Sequence, residues 1–114
     1  MIFETLHESA RRGELILVDN GLLHYHLCQD GQITIREIIV TPIWQKMGIG
    51  RFMLNRLKYR HPGAKSIFAK CPSDLPANSW YEYMGFTCEG TETTKGGREL
   101  KLWRLPLEVN NVSN

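Results

Sequence analysis

Residues Gln45-Lys46-Met47-Gly48-Ile49-Gly50 are the stretch of this chain whose types and spacing most plainly suit chemistry. They follow an apolar run, Ile38-Ile39-Val40, and a stop at Pro42, and they open a helical pattern that continues Phe52-Met53-Leu54. A strand, a glycine-bearing turn and a helix start in that order make an anion site. The first amides of a helix have no partner within it, and the helix dipole there favours negative charge. Gly48 and Gly50 remove side chains that would hold a phosphate away from those amides. Lys46 and Arg51 add positive charge beside them. The implied ligand carries a phosphate or diphosphate. Two other phosphate motifs are set aside. No Gly-Lys-Ser/Thr follows, as a nucleotide-hydrolysing loop requires, and Met53 stands where a dinucleotide fingerprint has its third glycine.

The elements that must position this loop follow from periodicity and turn residues. Ile2, Phe3, Leu6 and Ala10 recur at helical spacing and stop at Gly13, which predicts a short helix over 2–12. Two apolar runs, 14–18 and 22–28, flank Asp19-Asn20-Gly21, a strong hairpin signal. Asp30-Gly31 then leads into a β-branched run over 32–40, completing a three-stranded meander. A helix over 50–60 shows Ile49, Met53 and Leu57 on one face and ends at His61-Pro62-Gly63. A short strand over 66–71 closes at Pro72. Ser73 or Asp74 is placed to cap a helix over 75–84 that stops at Gly85. Residues 86–90 and 99–105 pair as a hairpin through Thr94-Lys95-Gly96-Gly97. The fold class is mixed α+β. The strands on either side of the 50–60 helix run parallel, because that helix is a crossover.

A chain of 114 residues supports one domain, here 1–114, with one modest core. A net charge of +2 is too small for a nucleic-acid binder that relies on a broad basic face. No apolar run approaches the roughly 20 residues that span a bilayer, and the start Met1-Ile2-Phe3-Glu4 lacks the features of a secretion signal. Cys28, Cys71 and Cys88 cannot all pair within one chain and show no metal spacing, so free thiols in a reducing cytoplasm are expected, with no bound metal.

The pattern Gln/Arg-x-x-Gly-x-Gly/Ala at 45–50 resembles the diphosphate loop of the GNAT family of N-acetyltransferases. A second stretch strengthens the resemblance. Asp74-Leu-Pro-Ala-Asn-Ser-Trp-Tyr-Glu-Tyr-Met-Gly-Phe86 is similar to that family's later signature, with Trp80-Tyr81 and Gly85-Phe86 matching in type and spacing. Together the motifs cover about residues 14–104. The resemblance implies a central, mostly antiparallel sheet of about six strands flanked by helices. It implies acetyl transfer from acetyl-coenzyme A to a primary amine, by direct attack in a ternary complex. One departure stands out: only about a dozen residues precede the first legible strand, where the family usually has a further strand and helices that shape the acceptor side. A second subunit could complete that side, as in a homodimer, or a large partner could supply its own surface. The same shortening motivates an alternative, a non-catalytic acyl-coenzyme A-binding or protein-interaction module.

The resemblance also assigns residues. Amides from Lys46, Met47, Gly48, Ile49, Gly50 and Arg51 hold the diphosphate, and Gln45 stands beside the phosphates where the family often has arginine. The strand edge at Ile38, Ile39 and Val40 pairs with the pantetheine amides, and Asn78 bonds the pantetheine or the phosphates. Tyr81 donates the proton to the leaving thiolate, since a phenol is protonated at neutral pH. From its place beside the strand centre, Glu37 is the candidate to take the amine proton directly or through a water, with His24 and His26 as weaker choices; the alternative, which the family often uses, is a water chain with no side-chain base. Trp44 and Trp80 are read as packing groups, and Cys71 as a small buried residue near the thioester. The acceptor is a small-molecule or protein amine, with no nucleic acid and no membrane as partner.

Overall fold

The computed structural model describes residues 13–42, 45 and 47–108. The helix expected over 2–12 lies outside the described residues. Six strands and two helices follow one another as β1 (Leu15–Val18), β2 (Gly21–Leu27), β3 (Gln32–Val40), α1 (Ile49–Arg60), β4 (Ser66–Pro72), α2 (Ala77–Tyr83), β5 (Thr87–Thr93) and β6 (Glu99–Pro106). They form one sheet in the order β1-β2-β3-β4-β6-β5. Only β3 and β4 are parallel, as the crossover through α1 demands; the other neighbours are antiparallel.

Local chemistry explains most element ends. The β1–β2 hairpin turns at Asp19-Asn20, with Val18 opposite Gly21 and Asn20 at φ 69°. Asparagine tolerates that left-handed conformation better than most residues. Gly21 therefore serves the strand rather than the turn: a Cβ there would lie 2.8 Å from Ile49 Cγ2 and 3.1 Å from Met53 Cε. Its bareness lets α1 settle onto the sheet. The second helix differs from expectation at its start. Neither Ser73 nor Asp74 caps it; α2 begins after Pro76 with no side-chain cap. Proline suits a helix start, because its missing N–H is one that would go unpaired there.

Both helices cover the same face of the sheet. Met53, Leu54 and Leu57 of α1 and Tyr81 of α2 are buried with Leu23, Tyr25, Ile33, Ile35, Ile67 and Trp103 in one core. The carboxyl end of α1 is tied down by polar contacts. The Tyr25 hydroxyl donates to the Gly13 carbonyl and sits 2.7 Å from His61 Nε2. Arg60 reaches the carbonyls of Gly13 and Leu15. Burial, with help from the Arg60 charge, lowers the His61 pKa from its ordinary value. Among the described residues no helix is long and apolar enough to cross a membrane.

Candidate active site

The site begins where two parallel strands part. β3 pairs with β4 only from Gln32 to Ile35, opposite Ser66 to Ala69. Beyond Ile35, β3 keeps its pairing with β2 as far as Val40, while β4 keeps its pairing with β6 as far as Pro72. A bulge sits at the parting. His24 faces Glu37 and Tyr25 faces Ile35, so Arg36 is the extra residue. A bulge bends its strand and raises the local twist, which turns the second half of β3 away from β4.

Backbone groups along the gap follow from alternation. The Thr41 amide donates toward β2, to the Asn20 carbonyl at 2.9 Å. Counting back, Ile39 shares that direction, and Ile38 and Val40 turn their N–H and C=O groups the other way, toward the gap. The Gln45 side chain confirms the direction at one position, donating to the Val40 carbonyl at 3.2 Å. The loop-side amide of Gln45 is thereby occupied with the strand end.

At the far end of the gap stands the start of α1. Gly48 is its N-cap, at φ 84°, with no side-chain cap and no acidic residue in the first turn. That φ suits glycine, and a Cβ at Gly48 would meet nothing within 4 Å. The Phe52 amide is the first to bond back into the helix, to the Gly48 carbonyl at 2.9 Å. The amides of Ile49, Gly50 and Arg51 precede it and have no intrahelical acceptor. Met47 is exposed, and Lys46 lies outside the described residues. Arg51 is held 5.5 Å above the ring of Tyr83, on the outer side of α2. Uncapped amides, an open left-handed glycine and the free edge of β3 together suit a group with an anionic and an amide-bearing part.

Gly50 plays a different part from the one its spacing suggests. A Cβ there would lie 2.9 Å from Trp80 Nε1 and 3.0 Å from Trp80 Cζ2. Its smallness admits the indole of α2, so the two helices interlock beside the anion site. Trp80 in turn packs edge-on against Tyr81, ring centroids 5.1 Å apart.

Tyr81 is buried, stacked on Trp103 at 6.1 Å and edge-on to Phe86 at 5.2 Å. Burial raises its pKa well above the ordinary phenol value, and the neighbouring Cys71 adds to the rise. The phenol is therefore protonated at any working pH and can only donate. Burial, then Asp74, likewise pushes the Cys71 thiol up, which keeps it neutral. Asn78 is committed elsewhere than to a ligand. Its amide nitrogen donates to the Pro72 and Leu75 carbonyls, both at 2.8 Å, and its oxygen accepts from Trp103 Nε1 at 2.8 Å. It ties α2 to β4 and β6.

The profile of the acetyltransferase (GNAT) domain matches residues 8–88, more than half of the chain. The chain belongs to the GNAT acetyltransferase family. Similar solved structures carry the same fold. A nourseothricin acetyltransferase superposes with a TM-score of 0.70 and 22% identity, over 78% of this chain and 58% of that one. The ribosomal-protein-S18-alanine N-acetyltransferase from Escherichia coli gives 0.69 and 19%, over 95% and 80%. A protein assigned as a streptothricin acetyltransferase from Bacillus anthracis, in complex with acetyl coenzyme A, gives 0.70 and 18%, over 78% and 57%. This GNAT chain thus spans less than two-thirds of the first and last of these. No curated protein sequence matches it.

On this GNAT sheet Glu37, His24 and His26 lie on the face away from the helices. Glu37 is half-buried and pairs across strands with buried His24. Burial lowers the His24 pKa, and Arg36 lowers it further against the pull of Glu37 and Glu14. His26 lies 2.9 Å from a Glu14 carboxylate oxygen, farther from the gap. Tyr81, in the core, and Glu37 therefore lie on opposite faces of the sheet. Trp103 was invisible as a site residue in the sequence: it lies 25 residues from Asn78 and no local spacing joins the two.

Proposed function

We propose that this chain is an N-acetyltransferase that passes an acetyl group from acetyl-coenzyme A to a primary amine by direct attack in a ternary complex. The observation that carries this reading is the parting of β3 from β4 after Ile35, beside an uncapped helix start. Acetyl-coenzyme A supplies an activated thioester when bound. The amides of Ile49, Gly50 and Arg51 suit its diphosphate, with Lys46 nearby in sequence. The gap-facing backbone of Ile38 and the amide of Val40 suit its pantetheine amides, which would lie along β3 as an added strand.

The residues on either side of the gap divide the proton work. Glu37, on one face, accepts the proton that an alkyl ammonium must lose, directly or through a water. Tyr81, on the other, holds its proton through burial and gives it to the departing thiolate. An amide of β3 facing the acyl oxygen would stabilise the charge that develops there; one such donor is worth about 3–4 kcal/mol in acyl transfer. Asn78 takes no part in binding under this reading and keeps α2, and so Tyr81, in place. The chain works as a single domain in a reducing cytoplasm, in keeping with the free thiols of Cys28, Cys71 and Cys88.

Thermal unfolding tests the binding half of this reading. Ligand at a hundred times its dissociation constant adds about 2.7 kcal/mol, which for a chain this size raises Tm by on the order of 10 °C. Millimolar acetyl-coenzyme A without a shift would sink the proposal. Tyr81→Phe tests the chemical half: acetyl transfer to a panel of polyamines and peptide amino termini should fall at least tenfold while the thermal shift persists. Transfer at the wild-type rate would remove Tyr81 from the chemistry. Binding with no transfer by either form would point to the non-catalytic module.

A further inference from the structure

We infer that the indole N–H of Trp80 is a side-chain donor to the diphosphate of the bound coenzyme, beside the amides that open α1. The inference rests on the coenzyme-binding reading above and gives Trp80, read from the sequence only as a packing group, a part in binding. Three observations lead to it. Gly50 sits inside α1 without the positive φ that would call for glycine, and glycine is a poor helix residue. Its placement is explained by Trp80 alone, whose Nε1, Cζ2 and Cε2 would be 2.9, 3.0 and 3.1 Å from any Cβ there. The indole edge that reaches the helix is thus the edge carrying the N–H.

The second observation is a contrast between two tryptophans. Trp103, fully inside the core, has its N–H satisfied by Asn78 at 2.8 Å. Trp80 is half-buried, and among the described residues its N–H donates to none. An indole N–H that is not taken up by the protein is open to an acceptor on a ligand. Its neighbours are the amides of Ile49, Gly50 and Arg51, which have no acceptor within the helix. The third is mutual rigidity. Trp80 is pinned by Gly50 on one side and by Tyr81 and Phe86 on the other, with centroids 5.1 and 6.4 Å away. A donor held this way loses little freedom on binding. Pure packing would be met as well by phenylalanine or leucine, which carry no donor.

The test separates the N–H from the ring. Trp80→Phe keeps an aromatic ring and removes the donor. Its dissociation constant for coenzyme A should rise about tenfold, equivalent to about 1.4 kcal/mol, while that for pantetheine, which lacks the diphosphate, stays within twofold. Unchanged affinity for coenzyme A, or an equal rise for both compounds, overturns the inference. A wild-type measurement stands beside it in case the variant folds poorly. The chain has three tryptophans, whose indole N–H signals separate in a nitrogen–proton correlation spectrum. After through-bond assignment, the Trp80 signal should move downfield with coenzyme A and hold still with pantetheine; a signal indifferent to coenzyme A overturns the inference. Failure of the wild type to bind coenzyme A at all would instead sink the functional reading beneath it.

Discussion

Replacing Asn78 with alanine separates two roles that its position in the motif allows. If Asn78 serves the fold, the loss falls on stability; if it served the coenzyme, the loss would fall on affinity. The structure lets the first be sized. Three hydrogen bonds disappear. The two carbonyls it leaves keep other donors, since Pro72 O also accepts from the Leu75 amide at 3.1 Å and Leu75 O from the Asn78 amide at 3.3 Å. Each of those losses therefore costs about 0.5–1 kcal/mol. The Trp103 indole N–H is different. It is buried and has Asn78 as its acceptor, so removing the oxygen strands a buried donor, at about 1–3 kcal/mol. The sum is about 3 kcal/mol, or a Tm lower by on the order of 10 °C in a chain of this length. Urea and thermal unfolding measure it. Coenzyme A affinity of the folded fraction, read by calorimetry well below the new Tm, should change less than threefold. Wild-type stability combined with a tenfold loss of affinity would refute the argument and restore Asn78 to the binding site.

The remaining predictions concern backbone, pH and the two aromatic residues already named. Gly48→Ala forces a side chain into a left-handed conformation with open space around it, so it should cost about 1–2 kcal/mol by urea unfolding; a neutral result would mean that the turn can relax. His24 and His61 both have lowered pKa values from burial. Unfolded imidazoles take up protons near pH 6.5, before the folded ones, so stability is full above that pH and falls as pH drops below it. Urea midpoints at pH 7.5 and 5.5 check this, and equal midpoints would contradict it. Tyr81→Phe and Trp80→Phe divide the site in function. The first should lower transfer and spare binding, and the second should weaken coenzyme A binding selectively.

Much of the fold was legible because its signals are local. Strand alternation, the Asp30-Gly31 turn, the breaks at Pro42 and His61-Pro62-Gly63 and the helical face of Met53 and Leu57 each depend on a few neighbouring residues. The crossover made β3 and β4 parallel before any contact was known. The loop at Gly48 was likewise readable, since a left-handed turn before a helix needs glycine wherever it occurs. Two local readings failed for non-local reasons. Gly21 looked like a turn residue but is bare to admit Ile49 and Met53. Ser73 and Asp74 looked like caps, but α2 starts after Pro76.

By itself, then, the chain determined the element order of the described residues, their one parallel pair and a left-handed glycine at an uncapped helix start, because these rest on backbone chemistry within a few residues. Tertiary structure alone decided where β3 leaves β4, since that depends on a bulge at Arg36 and on β4 staying with β6. It also decided that Glu37 and Tyr81 lie on opposite faces of the sheet, that Asn78 is held by Trp103, and that Gly50 answers to Trp80. Each of these is a contact between residues distant along the chain, and side-chain type alone carries no record of which distant atom will arrive.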